Sequence, residues 1–119
     1  MKHLAAVGDA LINAAATLAT LRSGPDGGKS IRVRNSLLAE AVRLTGIKPR
    51  GRYSSHEIAD IYEAVVGYAY LNSIIAFEEI HAELTKLLSS GSDQAAYIGL
   101  LSYTVDKIRS KGEWDGVLS

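Results

Sequence analysis

The sequence predicts an all-α fold, a helical bundle of about five helices. Three observations point there. Apolar residues recur at three- and four-residue spacing through most of the chain. Two clusters of breakers, around Pro25 and around Pro49, divide that pattern into helix-length pieces. No strongly alternating segment appears, and Ile31-Arg32-Val33 is the only short strand candidate.

The first helix is expected over 3–22, where Leu4, Val7, Leu11, Ala14, Ala15, Leu18 and Leu21 hold the spacing. It is apolar or small nearly all round, so burial on more than one side is expected. Ser23-Gly24-Pro25-Asp26-Gly27-Gly28 stops it. A second helix is expected over 31–45, with Leu37, Leu38, Ala41, Val42 and Leu44 inward and Gly46 placed to end it. Lys48-Pro49-Arg50-Gly51 is the next break. Ser54 followed by Glu57 is a capping box, and Ile58, Ile61, Tyr62, Val65 and Val66 carry the third helix to about Leu71. A fourth is expected over 74–89 and a fifth from Asp93 to about Ser110, separated by Ser89-Ser90-Gly91-Ser92.

Composition narrows the class. At 119 residues the chain is expected to form one domain over 1–119, with enough core to fold without staples. It has no cysteine, which excludes a disulfide scaffold and a thiolate zinc site and fits a reducing compartment. No run of about 18 apolar residues is free of charge. The nearest is 4–21, interrupted by Asp9 and Asn13, so no membrane span is expected and a cytoplasmic location is. The 13 basic and 13 acidic side chains balance, which removes a global nucleic-acid footprint. Their distribution is uneven. Arg22, Lys29, Arg32, Arg34, Arg43, Lys48, Arg50 and Arg52 fall within residues 22–52, against only Asp26 and Glu40. That segment is a positive patch or a solvated helix with its loops.

Gly27-Gly28-Lys29-Ser30 invites a phosphate-loop reading. The pattern needs a glycine where Ser23 stands and a strand where a helix ends, and it is rejected. His3, His56 and His81 have no metal-ligand spacing and read as surface or capping residues. The carboxylates carry more. Asp60 and Glu63 stand three apart on one predicted helix, so their side chains lie about 60° apart. Their neighbours Ala59, Ile61, Ala64, Val65 and Gly67 belong to a buried or half-buried helix. Like charges held there repel, and burial strengthens the repulsion. A hard divalent cation would offset it. Asp9, between Gly8 and Ala10, has no basic residue a turn away on either side. The plainer alternative is that all three acids are solvated or cap backbone groups.

These segments resemble ribonuclease III. Leu4-Ala5-Ala6-Val7-Gly8-Asp9-Ala10-Leu11 is similar to the family's signature helix, whose motif L-E-x-x-G-D ends in the Gly-Asp pair. Val33-Arg34-Asn35-Ser36-Leu37-Leu38-Ala39 resembles the next block, V-S-N-x-x-L-A. The run from Ile58 through Asp60, Glu63 and Gly67 to Leu71 resembles A-D-x-x-E-A-x-x-G-x-x-Y-L. The blocks come in family order and span about 3–72, with additional helices over 74–111. The signature falls almost at the start of the sequence, so the helix that precedes it in the family is not expected here. The resemblance is to short stand-alone members, archaeal or Mini-III-like, without a double-stranded-RNA-binding domain.

The resemblance implies an endoribonuclease acting on double-stranded or stem-loop RNA, as a homodimer. It implies Asp9, Asp60 and Glu63 as catalytic ligands of Mg²⁺ or Mn²⁺. Arg32, Arg34, Arg43, Lys48, Arg50 and Arg52 are candidate phosphate contacts. One departure stands out: the motif glutamate falls at Ala5, and Lys2 falls where a further glutamate is often found. Mini-III enzymes also carry L-A-x-x-G-D. Gly8 and Gly67 would let two helices approach closely enough to share an ion, or simply pack tightly. Two other functions follow from the same residues: a catalytically inactive RNA-binding or ribonucleoprotein-assembly module, and a plain helical dimerisation protein.

Overall fold

The computed structural model describes residues 2–21, 30–47 and 52–112. Five helices follow in order: α1 (Lys2–Leu21), α2 (Asn35–Leu44), α3 (Ser55–Leu71), α4 (Phe77–Ser90) and α5 (Asp93–Ser110). No strand occurs among the described residues. The Ser23–Gly28 breaker, the rejected Gly27–Lys29 motif, Lys48 and Arg50 lie outside them.

Helix α3 is the centre of the bundle and packs on α1, α2 and α5. Ile58, Ala59 and every residue from Ile61 to Gly67 are buried, so this helix is enclosed on all sides. Its capping box is formed: Ser54 Oγ accepts from the Glu57 N–H at 3.2 Å, and Glu57 Oε1 accepts from the Ser54 N–H at 3.0 Å. The buried Tyr62 hydroxyl donates to the Tyr97 carbonyl at 2.6 Å, tying α3 to α5 without an orphaned polar atom.

The second helix is shorter than its periodicity suggests. Ile31 to Arg34 run without regular structure, pinned to α1 instead. The Ile31 N–H donates to Thr17 Oγ1 and the Val33 N–H to Asn13 Oδ1, both at 2.8 Å. Alternate backbone donors spent on α1 are not available for a helical turn. Gly46, at φ 82°, follows the Thr45 cap and ends α2 in the left-handed conformation. The fourth helix also starts late, at Phe77. After α3 the chain forms a Schellman turn: the Ile74 N–H bonds the Ala69 carbonyl at 2.8 Å and the Ser73 N–H the Tyr70 carbonyl at 3.1 Å. Ser73 takes the left-handed position, φ 57°, and Ile74 and Ile75 are buried beneath it. The hydrophobicity at 74–75 therefore belongs to the turn.

By length and composition alone α1 qualifies as a membrane-crossing helix, against the sequence expectation. It nevertheless packs on α3 and α4, burying Ala5, Gly8, Ile12, Ala15, Ala16 and Ala19. Ala10, Ala14, Leu18 and Leu21 remain exposed on its other side.

Candidate active site

Two glycines place α1 against α3. A Cβ on Gly8 would overlap the backbone carbonyl of Glu63, and one on Gly67 would overlap the carbonyl of Leu4. The helices thus touch backbone to backbone, closer than any side chain permits. Asp9 follows Gly8, and Glu63 is itself the residue against which Gly8 rests. The crossing brings carboxylates from both helices into one place.

An open cavity of about 430 Å³ lies over this crossing. Its wall includes Asp9, Asp60 and Glu63, so the three predicted acids do meet. Glu63 is only 6% exposed. Its pKa is pushed from 4.5 up to about 8, first by burial, then by the Asp9 carboxyl within hydrogen-bonding reach and by its charge, then by Asp60. Among the described residues no basic partner offsets these acids at Glu63.

Two asparagines hold the surroundings in place. Asn13, one turn beyond Asp9, donates to Asp9 Oδ1 at 2.9 Å while its own carbonyl oxygen receives the Val33 N–H. The same side chain therefore orients an acid and anchors the segment before α2. Asn35 Nδ2 meets His56 Nδ1 at 2.9 Å, and His56 Nε2 stands 3.9 Å from Asp60 Oδ2. His56 is an exposed surface residue, as the sequence suggested, and it stands on the acid face as a partner of Asn35. Asn13 entered the sequence reading only as an interruption of an apolar run. Its position four residues after an unpaired aspartate was the available signal.

Of the basic residues, Arg32 lines the cavity, together with Lys2, Asn35 and His56. Arg34 is exposed at the start of α2, and Arg52 just before α3. Arg43 reaches from the end of α2 to Ser55 Oγ at 3.4 Å, beside the start of α3. Lys48 and Arg50 lie outside the described residues.

A family model for ribonuclease III matches residues 2–105, which takes in the three acids and both asparagines of the site. The chain belongs to the ribonuclease III family. No curated protein sequence matches it at a significant level. Enzymes of this family generally use a divalent metal. The donor chemistry here suits one: three hard carboxylate oxygen sources, one buried and destabilised by its neighbours, facing an open cavity. Among the described residues no three side chains stand ready-made at ion-holding distances, so the carboxylates would have to close around a cation.

Proposed function

We propose that this ribonuclease III family member is a divalent-cation-dependent endoribonuclease of double-stranded or stem-loop RNA, working in RNA processing as a single domain over 1–119 in the cytoplasm. Asp9, Asp60 and Glu63 are the ligands of Mg²⁺ or Mn²⁺ in this reading. The observation that carries it is Glu63, a buried acid set against two others at the floor of an open cavity. With Glu63 ionised, that arrangement destabilises the fold unless something positive binds there. A bound Mg²⁺ lowers the pKa of water and neutralises charge developing on a phosphodiester.

The chain's own residues do the rest. Asn13 fixes the rotamer of Asp9, and the Asn35–His56 pair borders Asp60. Arg32 on the cavity wall, with Arg34, Arg43 and Arg52 on the rim elements, would receive RNA phosphates, joined by Lys48 and Arg50. Recognition would be by shape, because the A-form major groove is too narrow for side chains to read. A homodimer is part of the proposal. Leu18 and Leu21 on α1, and Tyr70 and Leu71 at the end of α3, are large apolar side chains left at least 40% exposed.

One observation favours a second reading, a catalytically inactive RNA-binding or ribonucleoprotein-assembly module. Ala5 on the cavity wall offers no ligand. Cleavage of a labelled RNA hairpin in millimolar Mg²⁺ or Mn²⁺ decides between them. The enzyme reading expects cutting by the native chain, reduced more than about a hundredfold in folded Asp9→Asn and Glu63→Gln variants. No cutting in either metal, with hairpin binding that weakens steeply as salt rises, would establish the module.

A further inference from the structure

A smaller cavity of about 190 Å³ adjoins the first, lined by Lys2, Ala5, Tyr53, Glu57, Asp60 and Ile61. The two share Lys2, Ala5 and Asp60. Residues 2, 5 and 9 succeed one another by three and four positions, so they form one stripe on α1. Along it the cavity wall reads ammonium, methyl, carboxylate.

Nucleases that use two metal ions place them roughly 3.5–4 Å apart, each with its own oxygen ligands. Here the acids cluster on one side, around Glu63. Where the two cavities join at Asp60, the α1 wall is Ala5 and Lys2. The remaining acid there, Glu57, spends one carboxylate oxygen on the Ser54 N–H as the cap of α3. A second ion would find a methyl group and a like charge where its ligands should be.

We infer that the site takes a single divalent cation, and that the Lys2 ammonium supplies the second positive charge, contacting a non-bridging oxygen of the scissile phosphate. With three acids ionised, one divalent cation and one ammonium balance the charge, leaving Arg32 for the phosphodiester. Lysine suits the task as a compact charge with three donors on a long stem. This inference rests on the endoribonuclease reading, and it assigns Lys2 as a phosphate-binding residue.

Mn²⁺ titration of the full chain, followed by calorimetry and by electron paramagnetic resonance, tests it apart from turnover. The native chain should bind one ion, and the double variant Lys2→Glu, Ala5→Glu should bind two. Lys2→Met should still bind one ion yet cleave the hairpin at least about tenfold more slowly at saturating Mg²⁺, with Lys2→Arg recovering most of the loss. Two ions on the native chain, one ion on a folded double variant, or full cleavage by Lys2→Met would each overturn the inference while leaving the endoribonuclease reading intact. No bound ion on the native chain would overturn both.

Discussion

Glu63 and Glu79 are the same residue type at two helix–helix seams, with opposite consequences. At the α4–α5 seam Glu79 accepts from the Tyr103 hydroxyl at 2.8 Å and from the Ala76 N–H at 3.1 Å. Those donors, the Tyr103 bond foremost, hold its carboxyl below the usual range. Lys107 sits 5.4 Å from the Tyr103 ring and completes a self-sufficient polar staple. At the α1–α3 seam Glu63 has acids where Glu79 has donors, and its pKa rises to about 8. The backbones differ in the same sense. The α4–α5 seam is filled by side chains, with the flexible end of Leu87 nearest to Gly99. The α1–α3 seam is backbone against backbone. One seam is complete as folded, and the other sets a buried acid against like charges.

Substitutions at the glycines should separate the seams most sharply. Gly8→Ala or Gly67→Ala forces two backbones apart and should destabilise by about 3 kcal/mol, seen as a fall in the denaturant midpoint. Gly99→Ala meets a side chain that can move and gains helix propensity, so a net change below about 1 kcal/mol is expected. A large loss there would mean that the α4–α5 seam is no looser. Asn13→Ala removes a partner from both Asp9 and the Val33 N–H and should lower stability by about 2 kcal/mol. Hydrogen exchange should show faster exchange at Ile31 and Val33, since both lose their fixed position against α1. The smallest effect is at the staple. Tyr103→Phe should destabilise by about 1 kcal/mol. Glu79 has a depressed pKa, so its contribution is present above its ordinary value of 4.5 and fades as pH falls. Tyr103→Phe should therefore flatten part of the acid limb of a stability–pH curve.

Much of this was legible in the residues. The apolar spacing located five helices, and Ser54 with Glu57 marked the start of α3 to the residue. Gly8 and Gly67, next to or one turn beyond acids, pointed to the close crossing that brings Asp9 and Glu63 together. What escaped was tertiary. Ile31 and Val33 look helical in pattern, but α1 takes their N–H groups through Thr17 and Asn13. Ile74 and Ile75 look like the start of a helix, but a serine at positive φ turns them into the cap of the preceding one. The second role of Asn13 depends on a partner 20 residues away, which no local pattern reveals.

The central claim is that the α1–α3 seam holds a buried charge meant for a cation, and one measurement addresses it most directly. Melting temperatures of the metal-free chain and of Glu63→Gln would be compared from pH 5 to pH 9, with and without millimolar Mn²⁺. An acid whose folded pKa is raised stabilises fully below its ordinary value of 4.5 and loses that contribution as pH climbs to about 8. The native chain should therefore lose on the order of 4 kcal/mol, or roughly 10–20 °C, across that window. Glu63→Gln should stay level, and Mn²⁺ should restore the native chain at pH 8 without raising the variant comparably. A native profile as flat as the variant's, unmoved by Mn²⁺, would contradict the account.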